Sequence, residues 1–457
     1  MTSRHRVLLI AEAANPEWVS VPLVGWSLAC ALREVADVHV VTHVRNRDAI
    51  LRAGWVEGRD FTAIDNEILA APAWRVASAL RLGEGKSWTL LQAASAIAYP
   101  LFEREVWRLF GERLRGGGFD LVHRITPLSP TIPSPIAARC ARLGIPFVIG
   151  PLNGGLPWPR EFERERWREG EWLSYLRGGM RLLPWRRATL RAAALIVGSR
   201  ATRAEMPARA RARCVTIPEN AVDPERFARR ARPCGSGPLR ACFVGRLVPY
   251  KGLDMLLEAA APLARAGRLV LDIVGEGPMR PRIEALVARE GLGESVRLHG
   301  FLPHARVRDV LAQSEVFAFP SIREFGGGAV VEAMALGLVP IVVDYGGPGE
   351  LVTAETGIKL PLADHASLTH ALREALARAQ ADRLDLVARG ARARARVLAL
   401  LTWRRKAEQI VEVYRWALRE RADRPVFFEE EAPAAVFAPE RDAPAPALGT
   451  RVAGGPA

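Results

Sequence analysis

Glu324 and Glu332 bracket a run of three glycines in the stretch REFGGGAVVEAMALG, residues 323–337. Two carboxylates so close in sequence first suggest a general acid and base. The residues between them point elsewhere. Gly326, Gly327 and Gly328 leave backbone N–H groups open at the start of an apolar helical run, a setting that favours an anion. Glu332 lies about one turn into that run, and helical side chains lean toward the N-terminus. A loop carboxylate, an amide-rich turn and a helix carboxylate can meet one elongated ligand. Hydroxyls suit the carboxylates and phosphate suits the amides. The plainer alternative makes Glu324 a helix-dipole residue and Glu332 a surface residue. The apolar setting of Glu332, AVVEAMALG, counts against it.

A second constellation precedes the first by some seventy residues. VGRLVPYKG places Gly245, Arg246 and Lys251 together, two cations converging beside a helix start. Such a pair suits a diphosphate. Arginine is abundant in this chain, whereas Lys86, Lys251, Lys359 and Lys406 are its only lysines. Lys251 is therefore the more informative member. Two shorter turns are weaker signals. VGEGP, with Gly275, is half of a glycine-rich phosphate loop or simply a tight strand-to-helix turn. HGFLP offers Gly300 for close backbone approach and Phe301 and Leu302 to flank a nucleobase; a plain turn explains it equally well.

These residues need a scaffold that gathers loop ends. Short apolar runs at 6–11, 36–43, 120–125, 146–150 and 194–199 read as buried parallel strands alternating with helices. Residues 214–227 read as one more strand and a turn. A linker rich in Gly and Pro follows at 231–239. The alternation then restarts with strands at 240–247, 269–277, 295–302, 316–321 and 339–347, and helices at 253–266, 279–290, 304–313 and 328–336. The pattern predicts an α/β protein of two doubly wound, Rossmann-like domains facing a central cleft, with ligands beyond the C-terminal strand ends. The expected boundaries are 1–230 for the first domain and 231–401 for the second. A terminal helix follows at 402–421, and a disordered tail rich in Pro, Ala and acidic residues at 424–457.

Composition narrows the class. The 457 residues exceed one ordinary core, and 49% hydrophobic with 25% charged content is globular. The five cysteines are scattered, with no CxxC pair and no Cys/His cluster, so neither a disulfide framework nor a zinc site is expected. The N-terminus is unlike a signal peptide, and no run reaches the roughly 20 apolar residues of a membrane span. Residues 88–102 read as a buried or interfacial helix. The expected location is the cytoplasm. The net charge of +14 has two readings: arginine-rich composition on solvated faces, or attraction to an anionic membrane surface or substrate. No nucleic-acid-binding module is visible.

Taken in order and spacing, GRLVPYKG, VGEGP, HGFLP, EFGGGAVVEAMALGLVPIVV and GGPGELV resemble the family 4 retaining glycosyltransferases of the GT-B fold (glycosyl transferases group 1). The resemblance is close over 190–416 and looser over 1–190. It implies a UDP- or GDP-linked sugar donor in the second domain and no cofactor or metal; no Asp-x-Asp motif is present. Arg246 and Lys251 would take the diphosphate, Glu332 the ribose and Glu324 the transferred sugar. The amides of Phe325, Gly326 and Gly327 would line the sugar–phosphate site. The acceptor, a glycan or lipid-linked glycan, would come from the first domain. That domain departs from the family's pattern twice. Only Gly25 stands where paired glycines are common after the first strand. DLVHRI offers His123 but Ile125 where a second histidine is usual, so His123 is either a catalytic cleft histidine or a core histidine at a strand end. Asn153, Gly154 and Gly155 are expected in a cleft-facing loop toward the acceptor. The stretch 158–186 reads as an amphipathic insert for a membrane surface. A degenerate scaffold and a nucleotide-sugar epimerase are the competing readings.

Overall fold

The computed structural model describes residues 4–65, 88–168, 190–228, 235 and 237–428. Most of the expected linker, the tail beyond 428 and insert residues 169–186 lie outside the described residues.

Two parallel sheets carry the molecule. The first contains β1 (Arg6–Ala11), β2 (Asp37–His43), β3 (Phe61–Ile64), β4 (Leu121–Thr126), β5 (Phe147–Leu152), β6 (Ala194–Val197) and β7 (Cys214–Thr216). Its order is β3-β2-β1-β4-β5-β6-β7. The second contains β8 (Leu239–Val244), β9 (Leu269–Val274), β10 (Val296–Gly300), β11 (Val316–Phe319), β12 (Val339–Val343) and β13 (Ile358–Leu360), in the order β10-β9-β8-β11-β12-β13. The strand order of each sheet reverses once, at β1/β4 and at β8/β11. In doubly wound sheets that reversal opens a crevice for ligand.

The strands are near-continuous apolar runs because helices cover both faces. LVHRIT of β4 and FVIGPL of β5 are buried at every position. The helix Trp88–Arg115 continues well past the apolar run that marks it in sequence, through Pro100. Tyr99, Phe102, Val106, Phe110 and Leu114 lie on one face and bury against the first sheet. Among the described residues no helix is long and apolar enough to cross a membrane.

The chain crosses between the sheets twice. After β7 the segment from Ile217 leads to a short 3-10 turn at Pro224–Phe227. There Val222 pairs with Thr402 through Val222 N–H to Leu401 O (2.9 Å) and Trp403 N–H to Val222 O (3.1 Å). The helix Trp403–Ala417 then returns to the first domain, where Ala407, Ile410, Val413 and Tyr414 join the core beneath β1, β4 and β5.

Candidate functional site

The loops after β8, β9 and β10 are laced side by side. Gly245 N–H donates to Val274 O (3.0 Å), Leu247 N–H to Glu276 O (2.9 Å) and Gly275 N–H to Gly300 O (2.8 Å). A β-carbon on Gly275 would collide with the Gly245 carbonyl, so glycine there is a packing requirement. Arg246 stands exposed on this rim. Phe301 is 75% exposed at the end of β10, while Leu302 is half-buried on the second-domain core.

Lys251 closes a 3-10 turn, Pro249–Lys251, and Gly252 leaves it in the left-handed region (φ 68°). That conformation lets the chain pass against the Pro320 carbonyl, where any β-carbon would collide. Ile322 N–H (2.9 Å) and Ser321 Oγ (3.3 Å) both donate to Tyr250 O. The turn after β8 is thereby stitched to the loop after β11. The result is a close ion pair between Lys251 Nζ and the Glu324 carboxylate. The ammonium also lies 4.7 Å from the centre of the Phe319 ring and is almost wholly buried. Glu324 Oε1 accepts from Gly327 N–H at 3.5 Å, and Gly347 N–H donates to Glu324 O at 3.0 Å.

The helix Gly328–Leu336 starts from Gly327 (φ 63°) without a side-chain cap, which leaves the turn's amides as its N-terminal donors. Glu332 sits half-buried one turn in, 3.9 Å from His304 Nδ1. Burial pushes its carboxyl upward, against the pull of His304, Arg308 and Arg226. The structure thus gathers Lys251 and Glu324 directly, and sets Gly326, Gly327 and Glu332 on the turn and helix that follow.

The first-domain candidates fall differently. Gly25 lets the helix Val21–Val35 approach the Ala13 carbonyl; its backbone is buried in packing. His123 is fully buried, with Nδ1 2.6 Å from Tyr414 Oη and Nε2 2.7 Å from Gly150 O. Burial holds its pKa at about 4, so the ring is neutral at pH 7. Both nitrogens are occupied by protein, the arrangement of a core histidine. Asn153 Oδ1 accepts from Gly154 N–H (3.0 Å), and Thr202 Oγ also bonds that N–H (3.2 Å). Beyond Gly155 this loop reaches the second domain. Arg323 Nε donates to Leu156 O (3.4 Å) and Tyr345 Oη to Pro157 O (2.9 Å). The Arg323 guanidinium lies 4.9 Å from the Trp158 ring and 5.0 Å from that of Phe325.

Sequence reasoning missed Arg323, Tyr345, Glu219 and Lys406, all of which face this junction. Lys406 carried a usable signal, being one of the rare lysines. The others gave none, because the contacts that place them at the junction are made with residues far away in sequence. Among the described residues no group of three or more His, Cys, Asp or Glu is placed to hold a metal ion.

The chain resembles known proteins in part of its sequence and in its fold. Residues 225–392 match the family described as Glycosyl transferases group 1. The 2-deoxystreptamine glucosyltransferase of Streptomyces kanamyceticus is 35% identical over 147 residues, 30% of this chain and 38% of that protein. The putative colanic acid biosynthesis glycosyltransferase WcaL of Escherichia coli K12 is 31% identical over 186 residues, 39% of this chain and 46% of its own length. The matches thus span less than half the length of these relatives. Sucrose-phosphate synthase from Thermosynechococcus elongatus superposes with a TM-score of 0.58 at 18% identity, covering 92% of this chain and all of that one. Anabaena Alr3699/HepE in complex with UDP gives 0.57 at 15% identity over 90% of this chain and 99% of its own. Residues 225–392 are thus similar to glycosyl transferases group 1, and the chain as a whole has the GT-B fold.

Proposed function

We propose that the chain is a retaining glycosyltransferase. It would move a sugar from a UDP- or GDP-linked donor to a hydroxyl of a glycan or lipid-linked glycan, in surface polysaccharide or glycolipid assembly. The observation that carries this is the Lys251–Glu324 pair at the sheet's switch point, beside an uncapped glycine turn. In the free protein each charge satisfies the other. A diphosphate would draw Lys251 to itself, with Arg246 reaching in from the rim, and would free Glu324 to accept from sugar hydroxyls. Glu332 would accept from the ribose. The relatives named in polysaccharide assembly and the neighbour bound to UDP support the substrate classes.

The chemistry follows from these placements. The bond between the anomeric carbon and the diphosphate oxygen breaks with its electrons on that oxygen. Lys251, Arg246 and the turn amides stabilise the charge, so the reading includes independence from metal. The acceptor hydroxyl attacks from the same face, and its proton passes to the departing phosphate oxygen. No protein base is required, consistent with the burial of His123.

Calorimetry of the full chain with UDP and GDP tests the reading. One nucleotide should bind, and Lys251→Ala should weaken it about 10- to 100-fold, the worth of a charge-assisted bond. Glu324→Ala should bind the bare nucleotide as well as the wild type or better, since Lys251 is released, yet lose at least tenfold in sugar transfer. Absence of nucleotide binding in the wild type would favour the degenerate scaffold. Equal loss of binding and transfer in Glu324→Ala would remove that residue from the sugar.

We further propose a cytoplasmic protein that touches an anionic membrane. The support is the charge of +14 and Trp167, 67% exposed in the arginine-rich stretch after the cleft loop. Co-sedimentation with vesicles containing anionic lipid should occur at low salt and fade as salt rises. No binding at low salt would end the idea.

A further inference from the structure

Two charged residues at the domain junction have no part in the reaction described above. Glu219 lies on the passage after β7, and Lys406 lies on the terminal helix. The Glu219 carboxylate presses on the donor turn: a β-carbon on Gly326 would collide with its Oε1 and with Asn220 Nδ2, while Asn220 Nδ2 itself donates to Glu219 Oε1 at 3.3 Å. Burial raises the Glu219 carboxyl, against the pull of the Asn153 side chain in the first-domain loop, and the charge of Glu324 raises it further. One carboxylate therefore packs on the turn expected to face the donor and lies within electrostatic reach of the loop expected to face the acceptor.

Lys406 holds the backbone of Glu219 from behind. Its Nζ donates to the Glu219 carbonyl, and its ammonium lies 4.6 Å from the centre of the Trp403 ring. It is 1% exposed. Burying an ammonium is costly, and the charge of Glu219 offsets only part of that cost: burial lowers the Lys406 pKa to about 7. Lys406, Ile410 and Tyr414 follow at four-residue spacing, so they share one helix face. Tyr414 at the far end of that face bonds His123 on the middle strand of the first sheet. A continuous line thus runs from β4 through the terminal helix to the Gly326 turn.

We propose that Glu219 and Lys406 are positioning residues that fix the Phe325–Gly328 turn in its diphosphate-binding shape from the first domain. This inference rests on the donor-site reading above. Neither residue touches the nucleotide; both act through Gly326.

Calorimetry of UDP and GDP binding to the full chain, paired with thermal denaturation, tests it. Glu219→Ala and Lys406→Met should weaken the bound nucleotide about tenfold while the melting temperature stays within a few degrees of the wild type. Glu219→Gln keeps the packing against Gly326 and should restore affinity to within threefold. Wild-type affinity, within twofold, in both Glu219→Ala and Lys406→Met overturns the proposal, as does a loss that appears only in step with a fall in melting temperature. If the wild type binds neither nucleotide, the donor-site reading fails and takes this inference with it. If the wild type binds and the variants are indifferent, this inference fails alone.

Discussion

Lys251 is the residue where rarity and geometry agree. The chain has 64 basic residues and only four lysines, and the one in YKG is placed against a carboxylate in the other key loop. Its partner follows from the same sequence, because Glu324 and Lys251 end adjacent strands of a doubly wound sheet. His123 shows the opposite case. Its type and its strand-end position are legible, but its environment is set by Tyr414, 291 residues later. No local pattern encodes that contact. Burial without a charged partner then keeps the imidazole neutral. Tyr414→Phe should leave a buried ring nitrogen unsatisfied and cost about 1–3 kcal/mol. Urea denaturation should show that loss, while affinity for the bound nucleotide stays within twofold. A large change in transfer at unchanged stability would return His123 to the active site.

At the scale of elements, the strands are legible because they are buried on both faces and bounded by glycine or polar turns. β8, β9, β11 and β12 begin within a residue of their apolar runs. The apolar-run reading extends several of them past their ends, because it carries on through the turns at Gly245, Gly275 and Gly346, where the backbone has already left the ladder. β3 and β13 are too short to declare themselves. The helix Arg383–Leu400 is also silent, since Ala and Arg alternate through its middle, whereas His365–Ala381 carries a stripe in Leu368, Leu372, Ala375, Leu376 and Ala379 that the apolar-run reading passes over. The terminal helix is the clearest of all, because Ala407, Ile410, Val411 and Tyr414 trace one stripe. That stripe is core of the first domain, although it arrives from the end of the second. Ile410→Ala should therefore destabilise the first domain by about 2–5 kcal/mol, as a cavity in a core does. Hydrogen exchange should show the lost protection in β1, β4 and the helix Val21–Val35. Protection lost first in the second sheet would contradict the packing.

For the whole molecule, the relation of the two domains is where sequence is least informative and physics most specific. The helix Arg200–Ala204 of the first domain meets the helix Gly346–Leu351 of the second through Glu350, whose two oxygens accept from Arg200 N–H at 3.0 and 2.8 Å. Burial raises this carboxyl to about 7, despite the Arg200 and Ala201 amides and the charges of Arg200 and Lys359. The folded carboxyl thus holds its proton more tightly than the unfolded one does. Its contribution to stability is complete below the unfolded value near 4.5 and is lost as pH rises through about 7. The shift corresponds to roughly 3 kcal/mol across that window. Glu350→Gln has no proton to lose and can still accept from Arg200. Its melting temperature should therefore change less than that of the wild type between pH 5 and pH 8, with the wild type losing ground toward pH 8. Parallel profiles for the two proteins would show that Glu350 is ionised at the interface throughout. The domain contact would then be held by its charge and not weakened by it.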